Sequence, residues 1–314
     1  MVEEIGEIHN VTQHYELGTV LDAHLLTSGF ANRNYRLETE KGNFFYRVCT
    51  QQGDVKNIIY EVNILSQLKD INFPTAYLIP RKDGDFISDS KQDKVLIYEF
   101  KEGSEPDINE QTVKEIAKCL AQLNSFKDFV KYPRKNIIHI DYCFQLIQAF
   151  KTATFKYPEI YFYFEEQTQF LIKPISEILP RGLIHGDVFP DNTIFKDGCL
   201  SALIDFEEAC VDNLLMEIGM CINGFCFIDN HLNIDLMEVF LLEYNQVRKI
   251  TSKELELLYY YIQWAAHGMI SWHLRYYLIH RENSQQLTRV NELMERVKLL
   301  RAGKLPELKR FKIE

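Results

Sequence analysis

The sequence predicts an α+β fold: a small strand-rich N-terminal part followed by a large, mostly helical one. Three observations carry this. Residues from about 20 to 100 alternate in the manner of strands around a single helical stretch. After Lys101-Glu102-Gly103-Ser104 the apolar spacing becomes helical for most of the remaining chain. The composition, 46% hydrophobic and 25% charged over 314 residues, is that of a globular chain with a substantial core.

The elements follow in order. Asn34 to Glu38 alternates, Glu40-Lys41-Gly42-Asn43 supplies a turn, and Phe44 to Cys49 alternates again, which is a hairpin pattern. Val55 to Leu68 carries apolar residues at 55, 58, 59, 62, 65 and 68, the spacing of a buried helix face. Thr75 to Ile79 and Val95 to Phe100 read as two further strands. Beyond the 101–104 segment, Thr112 to Asn124 and much of 141–178 and 231–299 read as helix. The short apolar runs Leu183-Ile184, Thr193-Ile194-Phe195 and Leu203-Ile204 read as strands between them. No repeat or low-complexity tether is present, so 101–104 is expected to be a hinge between a unit spanning 1–100 and one spanning 105–314.

Composition also excludes partners. The formal net charge is −10 and Lys and Arg are not clustered. Binding to a phosphate backbone needs clustered positive charge, so no nucleic-acid partner is expected. The acidic start MVEEIGEIHN is neither a signal nor a transit peptide. The most apolar long stretch, Leu255 to Tyr277, is broken by Glu256, Gln263, His267, His273 and Arg275, so it reads as a core helix and no membrane association is expected. Seven cysteines without a CxxC pair suit reduced thiols in a cytoplasmic protein. His267 and His273 lie six apart on one helix. That is not the i, i+4 spacing of a metal pair, and both read as packing residues. The sequence does not fix the oligomeric state.

The chemistry concentrates in His185-Gly186-Asp187, Asn192, and Ile204-Asp205-Phe206. Phosphoryl transfer from ATP needs a carboxylate to take the acceptor's proton and hard oxygen ligands to hold Mg²⁺ against the phosphates. An H-x-D-x₄-N run followed by a D-F dipeptide is that layout, parallel to the catalytic-loop and D-F-G signatures of protein kinases. Asp187 is then the base, and Asn192 and Asp205 the metal ligands. A lone H-x-D means little, and an Asp–Asn pair near proline is usually a turn. The order of the parts and their flanking apolar strands make the stronger case. In the N-terminal part, Gly29 to Asn34 lies between two strands where a loop can cover phosphates; Gly29, Asn32 and Asn34 are its candidate contacts. Arg47 shares a strand face with Phe45 and Cys49, so its cation points to an apolar side and needs a partner. Glu61, on the following helix, can supply it, or the pair can be purely structural. Glu99 and Phe100 end an apolar strand where backbone groups can meet adenine.

The segments IHGDVFPDN, IDFEEACVD and EIGMCINGFCF resemble the aminoglycoside phosphotransferase/choline kinase superfamily, and within it the type II homoserine kinases. SGFANRNYRL resembles the nucleotide-loop segment of the same group. The resemblance implies a two-lobed protein-kinase-like fold with a small β-rich N-lobe and a large mostly helical C-lobe, and ATP and Mg²⁺ as cofactors. It carries the base role onto Asp187, metal ligation onto Asn192 and Asp205, and nucleotide contacts onto Arg47 and the Gly29–Asn34 loop. The chain departs from the family pattern at Glu217, where Asp is usual, and at Asn124, where many members have His. The activity implied is O-phosphorylation of L-homoserine, a step of threonine biosynthesis. The alternatives are a kinase for another small acceptor (choline or an amino alcohol, a sugar, an aminoglycoside) and a pseudokinase that only binds nucleotide. A zwitterionic acceptor needs one partner of each sign: Asp212 is the candidate for the ammonium, Arg33 or Arg275 for the carboxylate, with His185 alongside.

Overall fold

The computed structural model describes residues 2–26, 32–50, 54–129, 134–152, 156–279 and 284–303, together with 308 and 311. The chain divides into two compact units. The first comprises Met1–Ser104, Ile194–Lys196 and Ser201–Glu207; the second comprises Glu105–Thr193, Asp197–Leu200 and Glu208–Glu314.

The first unit opens with α1 (Val2–Thr12) and strands β1 (Val20–Leu26), β2 (Arg33–Thr39) and β3 (Gly42–Cys49). Helix α2 (Val55–Asp70), β4 (Ser88–Ser90) and β5 (Asp93–Glu99) follow. The strands form one antiparallel sheet in the order β1-β2-β3-β5-β4. The predicted hairpin is β2–β3, and α2 is the predicted helix, started by the Asp54 side chain, which accepts from the Lys56 amide. Alternation divides the sheet's two faces. Tyr35, Leu37, Tyr46, Val48, Val95 and Ile97 pack with Ile8 and Val11 of α1. The residues between them, Asn34 and Arg47 included, are left to the other face.

Two expectations fail here. Thr75 to Ile79 is not a strand. Pro74 and Pro80 bracket it and remove backbone donors, and only the Leu78–Tyr98 bridge and the bonds from Ile79 N to Ile97 O and from Glu99 N to Tyr77 O tie it to β5. Helix α1 has no counterpart in the sequence-based reading.

The second unit is mainly helical. It holds α3 (Glu110–Ser125), α4 (Ile140–Thr152) and α5 (Pro158–Ile175), the last begun by a proline at its first turn. Then come β6 (Arg181–Ile184) and β9 (Cys210–Asn213), which pair antiparallel; between them in the chain run the hairpin strands β7 (Thr193–Lys196) and β8 (Cys199–Leu203), of which Ile194–Lys196 and Ser201–Leu203 belong to the first unit. Helix α6 (Leu214–Phe225), the short β10 (Phe227–Ile228) and β11 (His231–Leu232), and helices α7 (Ile234–Val247), α8 (Ser252–His273) and α9 (Ser284–Ala302) complete it. A π-helical turn, Leu274–Ile279, extends α8. Helix α8 is started by a capping box between Thr251 and Glu254. It is a core helix, as its interrupted apolar pattern predicts, and His267 packs inside. His267 stacks on Phe164 at 4.5 Å, its Nε2 is 2.8 Å from the Thr168 hydroxyl, and burial pushes its pKa down to about 3. Among the described residues no helix is long and apolar enough to cross a membrane. All seven cysteines are free thiols, and Cys199 is the exposed one.

The 101–104 segment is held by backbone. Ser104 and Phe195 exchange hydrogen bonds of 3.0 and 2.9 Å, and Gly103 adopts φ +141. A Cβ there would lie 2.3 Å from the Phe195 carbonyl oxygen. Gly103→Ala is therefore expected to cost about 1–3 kcal/mol, read as a lowered Tm in a thermal melt; an unchanged Tm would show that the Ser104–Phe195 contact gives way freely.

Candidate active site

The candidate groups fall into two clusters, one in each unit. In the second unit, β6 ends at Ile184 and the chain turns through His185-Gly186-Asp187 before a single 3₁₀ turn, Pro190–Asn192. Proline suits the first position of such a turn because its missing N–H has no partner to lose there. Gly186 takes φ +85, and a Cβ on it would lie 2.9 Å from the Glu208 carbonyl oxygen, so only glycine lets the loop lie against residue 208. Asn192 donates both bonds of its amide nitrogen back to Asp187, 2.9 Å to the carbonyl oxygen and 2.8 Å to the carboxylate Oδ2. Its own amide oxygen is thereby directed away from Asp187, a hard donor suited to a divalent cation. The Asp187 amide donates to His185 Nδ1 at 3.2 Å, which places the ring proton on Nε2. His185 is fully buried and orients the loop, a placement that sequence reasoning, which set it beside the acceptor, did not anticipate.

Beneath this loop lies Glu217 of α6. Its carboxylate accepts from the His185 amide and, at 3.1 Å, from the Gly186 amide. Burial pushes its pKa up to about 7 against the pull of those two donors and of Asn124. Asn124 also donates to the Leu183 carbonyl at 3.1 Å and accepts from the Tyr244 hydroxyl at 2.7 Å. The two positions that depart from the family pattern thus brace the strand and loop that present Asp187.

In the first unit, Arg47 projects from β3 and is buried. It donates to Glu61 of α2 at 2.5 Å and to Asp205 at 3.2 Å. The Tyr98 hydroxyl donates to the same Glu61 oxygen at 3.0 Å, and the guanidinium lies 5.1 Å from the Tyr98 ring centroid. Burial alone would lower the Arg47 pKa, yet the charge of Glu61 holds it well above its ordinary value. Asp205, directly after β8, takes the left-handed φ of +68, an uncommon conformation for a non-glycine residue. Asn32 donates to Glu207 at 2.9 Å and accepts from the Thr50 amide at 3.2 Å. Asn34 faces the Arg47 side of the sheet, with its buried Oδ1 lacking a hydrogen-bond partner among the described residues. Gly29 lies outside the described residues. Glu99 pairs with Lys101 at 3.0 Å, while Phe100 carries the Arg36 guanidinium 5.1 Å from its ring centroid.

Each acceptor candidate is engaged by a neighbour. Arg33 lies on the opposite face of β2 from Asn34 and pairs with Asp93 at 3.2 Å. Asp212 is opposite Gly182 in the β6–β9 register. Gly182 is five residues before Asp187, in β6 rather than in the loop that carries Asp187. Asp212 instead accepts from Asn136 at 2.9 Å and lines a cleft of about 530 Å³ with Arg134, Asn213, Tyr261 and Trp264. Arg275 lies in the π-helical turn after α8 and donates to the Ile137 carbonyl. Sequence reasoning missed Tyr98, Glu207, Glu208 and Arg134 as site neighbours. Glu207 and Glu208 stand beside Asp205 in the IDFEEA run and Tyr98 immediately precedes Glu99, the only signals they gave; Arg134 lies far off in the chain.

Glu217 makes the loop's support sensitive to pH. The folded chain keeps a proton that the unfolded chain, with an ordinary value of 4.5, has already released. Stability should therefore fall as pH rises from 4.5 to about 7 and then level off. The loss is about 3 kcal/mol, from 2.5 pH units at about 1.4 kcal/mol each. Glu217→Gln should flatten this component, seen as a difference between wild-type and variant stability that varies with pH only in that window. A pH-independent difference would show that the carboxylate is ionised throughout.

Residues 22–248 match the profile of the phosphotransferase enzyme family, abbreviated APH. Homoserine kinase of Parvibaculum lavamentivorans is 27% identical over 247 residues, covering 78% of this chain and 77% of that one. Homoserine kinase of Bartonella tribocorum is 28% identical over 249 residues, covering 77% of each. Among solved structures, amicoumacin kinase in complex with AMP-PNP, Ca²⁺ and Ami superposes with a TM-score of 0.72 at 11% identity over 95% of this chain and 96% of that one. A choline/ethanolamine kinase family protein from Mesorhizobium loti gives 0.72 at 12% identity, covering 99% and 97%. These likenesses show a kinase-like fold with an antiparallel β-sheet N-terminal region and a mostly helical remainder. With its family profile matched across well over half its length, the chain belongs to the phosphotransferase enzyme family.

Proposed function

We propose that this phosphotransferase transfers the γ-phosphoryl group of ATP to the side-chain hydroxyl of L-homoserine. The observation that carries the reading is the double hydrogen bond from the Asn192 amide to Asp187, which fixes a carboxylate and a hard oxygen donor in one short loop. The homoserine kinases matched over more than three quarters of the chain support the choice of acceptor.

The chemistry follows from the groups present. Asp187 accepts the acceptor's hydroxyl proton as the oxygen bonds to the γ-phosphorus and the bond to the bridging oxygen of ADP breaks. Asn192 and Asp205, an amide oxygen and a carboxylate, are hard oxygen donors of the kind that would hold magnesium. Bound magnesium supplies neutralisation of phosphate charge. Arg47, fixed by Glu61, supplies a cation for the phosphates, and the Asn32–Asn34 segment contributes donors beside it. The product, O-phospho-L-homoserine, serves threonine biosynthesis.

Two measurements test this. Asp187→Asn should lower kcat by about 10²–10⁴-fold while leaving the affinity for ATP within a few fold; turnover near that of wild type would remove Asp187 as base. A panel of homoserine, choline, 3-amino-1-propanol, a hexose and an aminoglycoside, with ADP release as the readout, should give the highest kcat/KM for homoserine. Preference for choline or the amino alcohol would replace the acceptor, and magnesium-dependent ATP binding without turnover on any of them would indicate a nucleotide-binding pseudoenzyme.

A further inference from the structure

Most of the chain's sheltered arginines have an acid at hand: Arg47 has Glu61 at 2.5 Å, Arg134 has Glu208 at 2.5 Å, and Arg248 has Glu254 at 2.6 Å. Arg275 has none within ion-pair distance among the described residues. One terminal nitrogen donates to the Ile137 carbonyl, the guanidinium lies 4.1 Å from the Tyr142 ring centroid, and its Nε is buried without a hydrogen-bond partner. Arg296 also lacks an acid, but its N–H groups are taken by Asn230 Oδ1 at 2.7 Å and by the Asn223 carbonyl at 2.9 Å. Arg275 alone of the two keeps an unfilled buried donor. It also stands in the π-helical turn Leu274–Ile279, a rare conformation that is frequent at functional sites.

Its surroundings point to the reacting centre. Arg275 holds the carbonyl of Ile137, three residues on from Arg134, and Arg134 pairs with Glu208 at 2.5 Å. Glu208 in turn lies against the catalytic loop, its carbonyl oxygen 2.9 Å and its Cβ 3.7 Å from where a Cβ on Gly186 would be, one residue before Asp187. Arg275 thus stands near the Arg134–Glu208 pair with a buried donor still unfilled, and an unfilled buried donor is costly. An incoming carboxylate would fill it, and a guanidinium held 4.1 Å from an aromatic ring centroid is preorganised to receive one.

We propose that Arg275 binds the carboxylate of the acceptor and Glu208 its ammonium, so that this pair selects an α-amino acid alcohol over amino alcohols and sugars that lack a carboxylate. The inference rests on the homoserine reading above and assigns the residues that make the choice. Tyr142 is a positioning residue for Arg275.

The test is the ratio of kcat/KM for L-homoserine to kcat/KM for 3-amino-1-propanol, measured with saturating Mg-ATP. Arg275→Met should lower this ratio by about 10–100-fold, the worth of a hydrogen-bonded charge pair. Arg275→Lys, which keeps the charge but not the planar fork, should lower it by a smaller factor and serves if the Met variant does not fold. A merely structural arginine would depress both acceptors alike and leave the ratio unchanged, and an unchanged ratio in the variant that folds overturns the proposal. Wild-type enzyme that turns over 3-amino-1-propanol and not homoserine would overturn the acceptor reading and this inference together. Wild-type enzyme that turns over homoserine, with an unchanged ratio in the variants, would overturn the inference alone.

Discussion

A guanidinium inside a protein must find acceptors for its N–H groups, and Arg47 finds two carboxylates. Its alternation partners on β3 are the buried Cys49 and the half-buried Phe45, so the strand's own pattern turns the cation to a largely apolar side. Removing one member of such a buried pair typically costs about 3–5 kcal/mol because the other is stranded. Glu61 on α2 and Asp205 after β8 meet that demand from separate stretches of chain. The Tyr98 hydroxyl and ring restrict how the group can rotate. Sheet, helix and the segment after β8 are thereby tied to one side chain, and the left-handed backbone of Asp205 is held where the carboxylate is needed.

The second unit solves a related problem with the signs exchanged. Glu217 is a carboxylate with no cation beside it; its charge is met by two consecutive backbone amides. Successive N–H groups aimed at one acceptor fix the direction of the chain as it leaves β6, and Asn192 fixes it again from the far end through Asp187. The loop's hydrogen bonds thus run to α6 at one end and within itself at the other, and both hold the segment that carries Asp187. The longer side chain at position 217 spans from α6 to both amides.

Much of this was legible in the sequence where the physics is local. The β2–β3 hairpin, the α2 periodicity, the helical character beyond residue 104 and the Arg47–Glu61 pair follow from alternation, helical spacing and the cost of an unpaired buried charge. What was not legible depends on chain approach at long range. Thr75 to Ile79 has strand-like composition, but its flanking prolines leave it only a bridge to β5. His185 looked like a substrate contact because motifs list residues without saying which way they point; burial turned its ring onto the Asp187 amide. Asp212 and Arg33 were assigned by charge type; in the fold Asp212 accepts from Asn136 and Arg33 pairs with Asp93. Glu208 drew no notice because nothing in a linear pattern shows that residue 186 leans on residue 208.

The thiols carry a practical consequence. Six of the seven cysteines are buried, and burial pushes those at 49, 119, 143, 210, 221 and 226 up, so the nucleophilic thiolate is scarce among them. Cys199, at the exposed start of β8, is the thiol open to reagent. β8 leads directly to Asp205. A maleimide fluorophore or spin label should therefore couple to one defined place without mutagenesis, six residues ahead of that aspartate, and give a built-in reporter for nucleotide addition.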